Sequence, residues 1–158
     1  MSYHKEILEK LSDRTITYLR DDLGLSDGLC ENYSIITVES IEYHDSTVFI
    51  SLTNDITGTV GMSITNEFSF DIAKAFVFGD MEDDEILELA SESVSEVLNV
   101  TLGNILNDLK VMQEGGKVNI SPPKTLSKSV CVKRKKDGEM YLVTIGYKDT
   151  TIILSYFI

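Results

Sequence analysis

The stretch Glu85–Gly116, EILELASESVSEVLNVTLGNILNDLKVMQEGG, is the longest run in the chain whose apolar residues keep a helical period, and its reading decides the fold. At about 100° per residue with Val94 at zero, Leu87, Ala90, Val97, Leu98, Thr101, Ile105, Leu109 and Met112 lie within about 60° of it, so they form one buried face. The spacing predicts a helix that begins after the acidic run Asp80-Met81-Glu82-Asp83-Asp84-Glu85 and continues to about Glu114, closed by Gly115-Gly116. Carboxylates in a first turn suit the positive end of the helix dipole, and paired glycines suit a C-terminus. The dipole explains the acids better than calcium does, because the spacing of an EF-hand loop is missing.

Such a helix has one apolar stripe to cover, and the flanking sequence supplies a sheet for it. Tyr3 to Leu23, with Ile7, Leu8, Leu11, Ile16, Leu19 and Leu23 at spacings of three and four, predicts an amphipathic helix ended by Gly24. Ser34 to Ile41 and Thr47 to Leu52 are β-branched runs around the turn-like His44-Asp45-Ser46, which predicts a hairpin. Gly58 to Ile64 predicts a third strand, with two glycines that imply a bulge or a close backbone approach. Asn66 to Phe78 predicts a short helix that stops at Gly79. Beyond the break at Pro122-Pro123 come three more strands, Ser129 to Arg134, Glu139 to Tyr147 and Thr150 to Ile158, with Asp137-Gly138 and Lys148-Asp149 as hairpin turns. The sum is α+β: one domain over residues 1–158, a mostly antiparallel sheet of about six strands packed against long helices.

Charge and composition exclude several functions. The chain has 158 residues, with 26 acidic against 14 basic for a net charge of -12, and a phosphate backbone as partner would need the opposite balance. Residues 1–114 hold 6 basic and 23 acidic residues, whereas residues 115–158 hold 8 and 3. The acidic part suits either plain solubility or docking to a basic-rimmed partner. Two cysteines, Cys30 and Cys131, and two histidines, His4 and His44, have no metal-ligand spacing, and two Cys in a chain able to build its own core imply free thiols in a reducing compartment. The N-terminus lacks the pattern of a signal peptide, and no apolar run approaches the roughly 20 residues of a membrane span. The expectation is a cytoplasmic protein with no nucleic-acid or membrane partner.

On the same wheel Glu92, Glu96, Asn99 and Gly103 line up at about 140° to 200°, opposite the core. A solvated face accounts for a lone Glu92. Gly103 needs a reason, since glycine inside an exposed helix costs about 1 kcal/mol relative to alanine. Close approach of another backbone beside Glu96 and Asn99 is one, and these two side chains would offer it an anionic acceptor and a neutral donor-acceptor.

The segment Glu88-Leu-Ala-Ser-Glu-Ser-Val-Ser-Glu96-Val-Leu-Asn99-Val-Thr-Leu-Gly103-Asn104, followed by Val118-Asn-Ile-Ser-Pro122-Pro123, resembles the CheC/CheX/FliY family of chemotaxis phosphatases, and its CheX-type members most closely. The family carries E-x-x-N on a long helix, commonly followed by G-N, and Glu96, Asn99, Gly103 and Asn104 match it. The sequence departs where the fuller motif has Asp or Ser four residues before the Glu, for Glu92 stands there. CheC-type members have a second E-x-x-N near the N-terminus, but Glu9 is followed three residues later by Ser12. A single motif is the CheX-like pattern.

The resemblance implies a CheC-like fold, a homodimer, and as substrate the phospho-aspartyl form of a CheY-type response regulator. It implies Glu96 and Asn99 as catalytic residues, with Glu92, Gly103 and Asn104 as partner-binding neighbours. No metal site or cofactor of its own is expected, because the regulator brings the Mg²⁺ and a lysine that balance phosphoryl charge. Asn99 would hold the attacking water in line and Glu96 would pair with the regulator's lysine; an exposed carboxylate is a poor general base at neutral pH. The last strand, Thr150 to Ile158, has the content of one that could pair or swap at an edge. A second function remains open: a CheX-like module that binds a response regulator or another motility protein without hydrolysis, to which Glu92 points.

Overall fold

Strand runs of alternating apolar residues fold here into a seven-stranded sheet in a computed structural model that describes residues 2–77 and 81–158. The strands are β1 (Ile35–Thr37), β2 (Ser40–Glu42), β3 (Ser46–Asn54), β4 (Gly58–Ile64), β5 (Val118–Ile120), β6 (Lys124–Leu126), β7 (Cys131–Lys133), β8 (Met140–Tyr147) and β9 (Thr150–Phe157). The large sheet runs β1-β8-β9-β4-β3-β5 with β6 also on β3, every pairing is antiparallel, and β2 and β7 form a separate ribbon. The helices are α1 (Tyr3–Thr17), prolonged by a π-turn over Tyr18–Asp22, α2 (Asn66–Phe76), α3 (Asp83–Leu106) and the short α4 (Lys110–Gln113). This is the α+β class expected.

Because side chains alternate along a strand, one face of the sheet carries Val48, Ile50, Leu52, Val60, Met62, Val143, Ile145, Ile152 and Leu154. α1 and α3 close that face with Ile7, Leu8, Leu11, Val94, Val97, Leu98, Leu102 and Ile105. Buried hydroxyls on α3 are satisfied locally: Thr101 Oγ1 donates to the Val97 carbonyl at 2.7 Å and Ser93 Oγ to the Ala90 carbonyl at 2.8 Å. The β2–β7 ribbon lies on the other face.

The tight β8–β9 hairpin forms as expected, with Lys148 at φ 52 in its turn. Two others do not. β3 pairs β4 rather than the run before it, which divides into β1 on β8 and β2 on β7. The segment before Asp137-Gly138 is not hairpinned to β8 either, because β7 leaves the large sheet to meet β2. β9 lies between β8 and β4, so it has no edge to pair or swap. The registers through β4 stay constant, so its glycines mark close approach: a Cβ on Gly61 would stand 2.6 Å from Ser155 Oγ.

α3 ends at Leu106, just over two turns before the expected Glu114. Leu109 is buried but extended (ψ 140), and the chain restarts as α4. Leu87, expected in the core, is 58% exposed, and Met112 is only partly buried on α4. Glu82 stands at the N-cap of α3, with Asp83, Asp84 and Glu85 in its first turn. The expected stop at Gly79, and Asp80 of the acidic run, lie outside the described residues. Among the described residues, no helix is long and apolar enough to cross a membrane.

Candidate functional site

The face of α3 turned away from the sheet carries Glu92, Glu96, Asn99 and Gly103, all exposed. Residues three or four apart on a helix have Cβ atoms about 5–6 Å apart, so Glu96 lies beside both Glu92 and Asn99. Among the described residues, neither Glu96 nor Asn99 spends its side chain on a hydrogen bond or ion pair, whereas the neighbouring helix faces do. A Cβ added to Gly103 would meet nothing within 4 Å. Among the described residues no backbone comes close there, which leaves a bare patch one turn below Asn99.

One flank of this stripe is fastened. Arg14 of α1 donates from Nε to Asn104 Oδ1 at 2.9 Å, from Nη2 to Asp22 Oδ2 at 2.9 Å and from Nη1 to Thr17 Oγ1 at 3.2 Å, with Cζ 5.5 Å from the centre of the Tyr18 ring. The Asn104 oxygen is therefore engaged within the chain. Burial, then the carboxylates of Glu96 and Asp22, push the Tyr18 phenol up, and Arg14 opposes them.

The other flank is open. A groove of about 450 Å³ runs between α3 and the segment around β6, lined by Ser91, Glu92, Ser95, Glu96, Pro123 and the hydroxyl residues Thr125 and Ser127. Pro122 and Pro123 explain its wall. β5 pairs β3 as Leu52 with Ile120, but β6 pairs it as Phe49 with Lys124, so the strand gains one residue across the prolines. Neither proline can donate to the ladder, and Ser121 Oγ accepts from the Ser51 N–H at 2.9 Å in place of a backbone acceptor. The bulge carries Pro123 against the first half of α3.

The site thus assembles Glu92, Glu96, Asn99 and Gly103 as expected from the wheel and adds two sets that periodicity did not single out. Arg14 comes from α1 and Tyr18 from its π-turn, and no local pattern in the sequence pointed either of them to α3. Pro123, Thr125 and Ser127 come from the bulged strand, for which Pro122-Pro123 was the signal. Among the described residues, no cluster of three or more His, Cys, Asp or Glu side chains is placed to hold a metal ion.

The profile of the family described as chemotaxis phosphatase CheX matches residues 46–145, which is more than half of the chain. The chain belongs to the CheX family. Solved structures agree in fold. The CheX from Desulfovibrio desulfuricans has a TM-score of 0.70 at 14% identity, covering 97% of this chain and 98% of that one. Vibrio vulnificus CheX has 0.68 at 12%, covering 97% of each. Borrelia burgdorferi CheX, solved as a CheX–CheY–BeF3–Mg²⁺ complex, has 0.65 at 20%, covering 95% of each. No curated protein sequence matches the chain. The CheX profile begins at the first residue of β3 and ends in β8, so it spans the whole of α3 and the Pro-Pro bulge.

Proposed function

We propose that this CheX-family chain is a phosphatase for the phospho-aspartyl form of a CheY-type response regulator, with Glu96 and Asn99 as its working residues. The observation that carries the reading is a carboxylate and a carboxamide side by side on the outer face of α3, exposed and unengaged, between a fastened flank and an open groove. A pair so placed is free to enter another protein's site. The Borrelia relative, crystallised with CheY, supports a partner of this class.

In the reaction, a water oxygen bonds to phosphorus as the bond from phosphorus to the aspartyl oxygen breaks. The products are the free carboxylate and inorganic phosphate, and the proton lost by water passes to phosphate or solvent. The Asn99 amide orients the water, a contribution of position rather than bonding. Glu96 pairs with a cationic group of the regulator and sets the angle at which α3 enters. The Mg²⁺ belongs to the substrate, so this chain needs no metal or cofactor for the step. Glu92 and Gly103 line the approach, one by charge and one by the absence of a side chain. Asn104 acts from the fastened flank, through its bond to Arg14.

A homodimer goes with this reading. With β9 internal, the surface that suits it is the β1 edge, where Ile36 is 50% exposed. A cytoplasmic location goes with it as well, since Cys30 and Cys131 are both free thiols. Glu92 on the groove wall favours the second reading, a module that holds a regulator without hydrolysis. Release of inorganic phosphate from a phosphorylated CheY-type regulator decides between them. The expected result is release well above the regulator's own decay; binding without release would establish the second reading.

A further inference from the structure

Among the described residues, the large sheet ends at β1 on one side and at β5 and β6 on the other, so β6 has a free edge. Which of its groups face outward follows from β3. Ser51 turns its backbone toward β5, since its carbonyl accepts from the Ser121 N–H at 2.9 Å and its N–H donates to Ser121 Oγ. Backbone direction alternates along a strand, so Phe49 and Thr47 point the same way and exchange hydrogen bonds with Lys124 and Leu126. Val48 points to β4 instead. Thr125, opposite Val48, therefore directs its N–H and carbonyl away from the sheet, and no turn or loop bond among the described residues takes up either group.

The Thr125 side chain shares the face of Val48, which is the helix side, and so lines the groove with Pro123 and Ser127. Across the groove stand Glu92 and Glu96 of α3, both exposed. A partner that covers the stripe from Glu96 to Asn99 thus passes beside the outward edge of Thr125. That edge is guarded against longer pairing. It is three residues long, it follows Pro122-Pro123 and their bulge, and Lys124 and Lys128 are exposed on it. Such an edge suits a short segment of a partner rather than the long strand of a second copy.

We propose that β6 is a strand-addition site for the regulator, one residue of an extended segment exchanging two backbone hydrogen bonds with Thr125. This rests on the function proposed above and locates the partner's hold on the chain. In the added segment, the residue opposite Thr125 turns its side chain to the α3 side, toward Glu92, so a lysine or arginine fits there. The backbone bonds supply affinity, and the cationic side chain supplies the choice of partner.

Thr125→Pro tests this, because it deletes an N–H that the ladder does not use, and proline is tolerated at such edge positions. With a purified phosphorylated CheY-type regulator, phosphate release should show KM raised roughly three- to tenfold and kcat within about twofold. An unchanged KM overturns strand addition. Thr125→Val keeps the N–H and should raise KM less; equal rises would assign the contact to the hydroxyl and overturn it as well. Glu92→Gln should raise KM at low salt and much less at high salt, and no rise at low salt would overturn the cationic side chain. Where the proline variant does not fold, amide hydrogen exchange of the wild type decides: the Thr125 N–H should exchange at least about tenfold more slowly with regulator bound. An unchanged exchange rate, or protection that grows with the concentration of this chain alone, overturns strand addition by the regulator while the phosphatase reading stands. Absence of both release and binding by the wild-type chain overturns both.

Discussion

On one face of the sheet, two helices lie over Val48, Ile50, Val60, Met62 and Leu154 and turn a second, polar side to solvent. On the other, the β2–β7 ribbon closes over Met140 and Ile153 with Ile41 and Tyr43, and Tyr43 and Ser155 share a buried hydrogen bond at 2.7 Å. The difference lies in what each cover leaves free. A helix buries one stripe and can present another, so α3 holds the core with Leu98 and turns Asn99, the next residue, to solvent. A short ribbon that donates its side chains to the interior has less to offer. The helical face should therefore carry both stability and activity at separable positions, and the ribbon face stability alone.

The largest separation is expected at Leu98, fully buried under α3. Leu98→Ala should lose about 2–5 kcal/mol in urea unfolding, through lost transfer energy and the cavity left behind. A loss under 1 kcal/mol would mean that α3 is not the cover the sheet depends on.

The ribbon face is tested at Tyr43, whose phenol burial pushes up to about 12, with the bond to Ser155 acting the other way. Folding holds this proton more tightly than the unfolded chain does. Its contribution is therefore complete below the ordinary value near 10 and is lost as pH rises from 10 to about 12. Wild type should lose on the order of 2 kcal/mol more than Tyr43→Phe across that window. Phosphate release at neutral pH should be the same for both, and a change there would break the contrast between the faces.

The smallest effect on stability, and the sharpest contrast within α3, is expected at Gly103. Alanine there meets open space, so Gly103→Ala should gain about 0.5–1 kcal/mol. It should also raise KM for the regulator if the bare patch receives the partner's backbone, as proposed. A gain in stability with KM unchanged would make Gly103 a surface residue with no part in docking.

The wheel drawn on Val94 was enough to find the exposed stripe, because helical periodicity is local. The same locality misled elsewhere. Ile35–Thr37 finds its partner at Tyr141–Val143, far along the chain, and no turn signal beside His44 could show that. Leu109 kept the helical rhythm beyond Leu106 only because an extended residue happened to return to the core. Leu87 looked like core since periodicity does not say where the sheet beneath a helix ends. Both flanks of the site are long-range: Arg14 reaches across 90 residues to Asn104, and Pro123 reaches α3 through a bulge that shows only in the β3 register.

Asn99 is where the account is most exposed to test. Phosphate release from a phosphorylated CheY-type regulator should fall at least about a hundredfold in Asn99→Ala, with the unfolding midpoint and the affinity for the regulator nearly unchanged. Turnover at the wild-type rate in that variant would contradict the central claim that the exposed face of α3 performs the reaction.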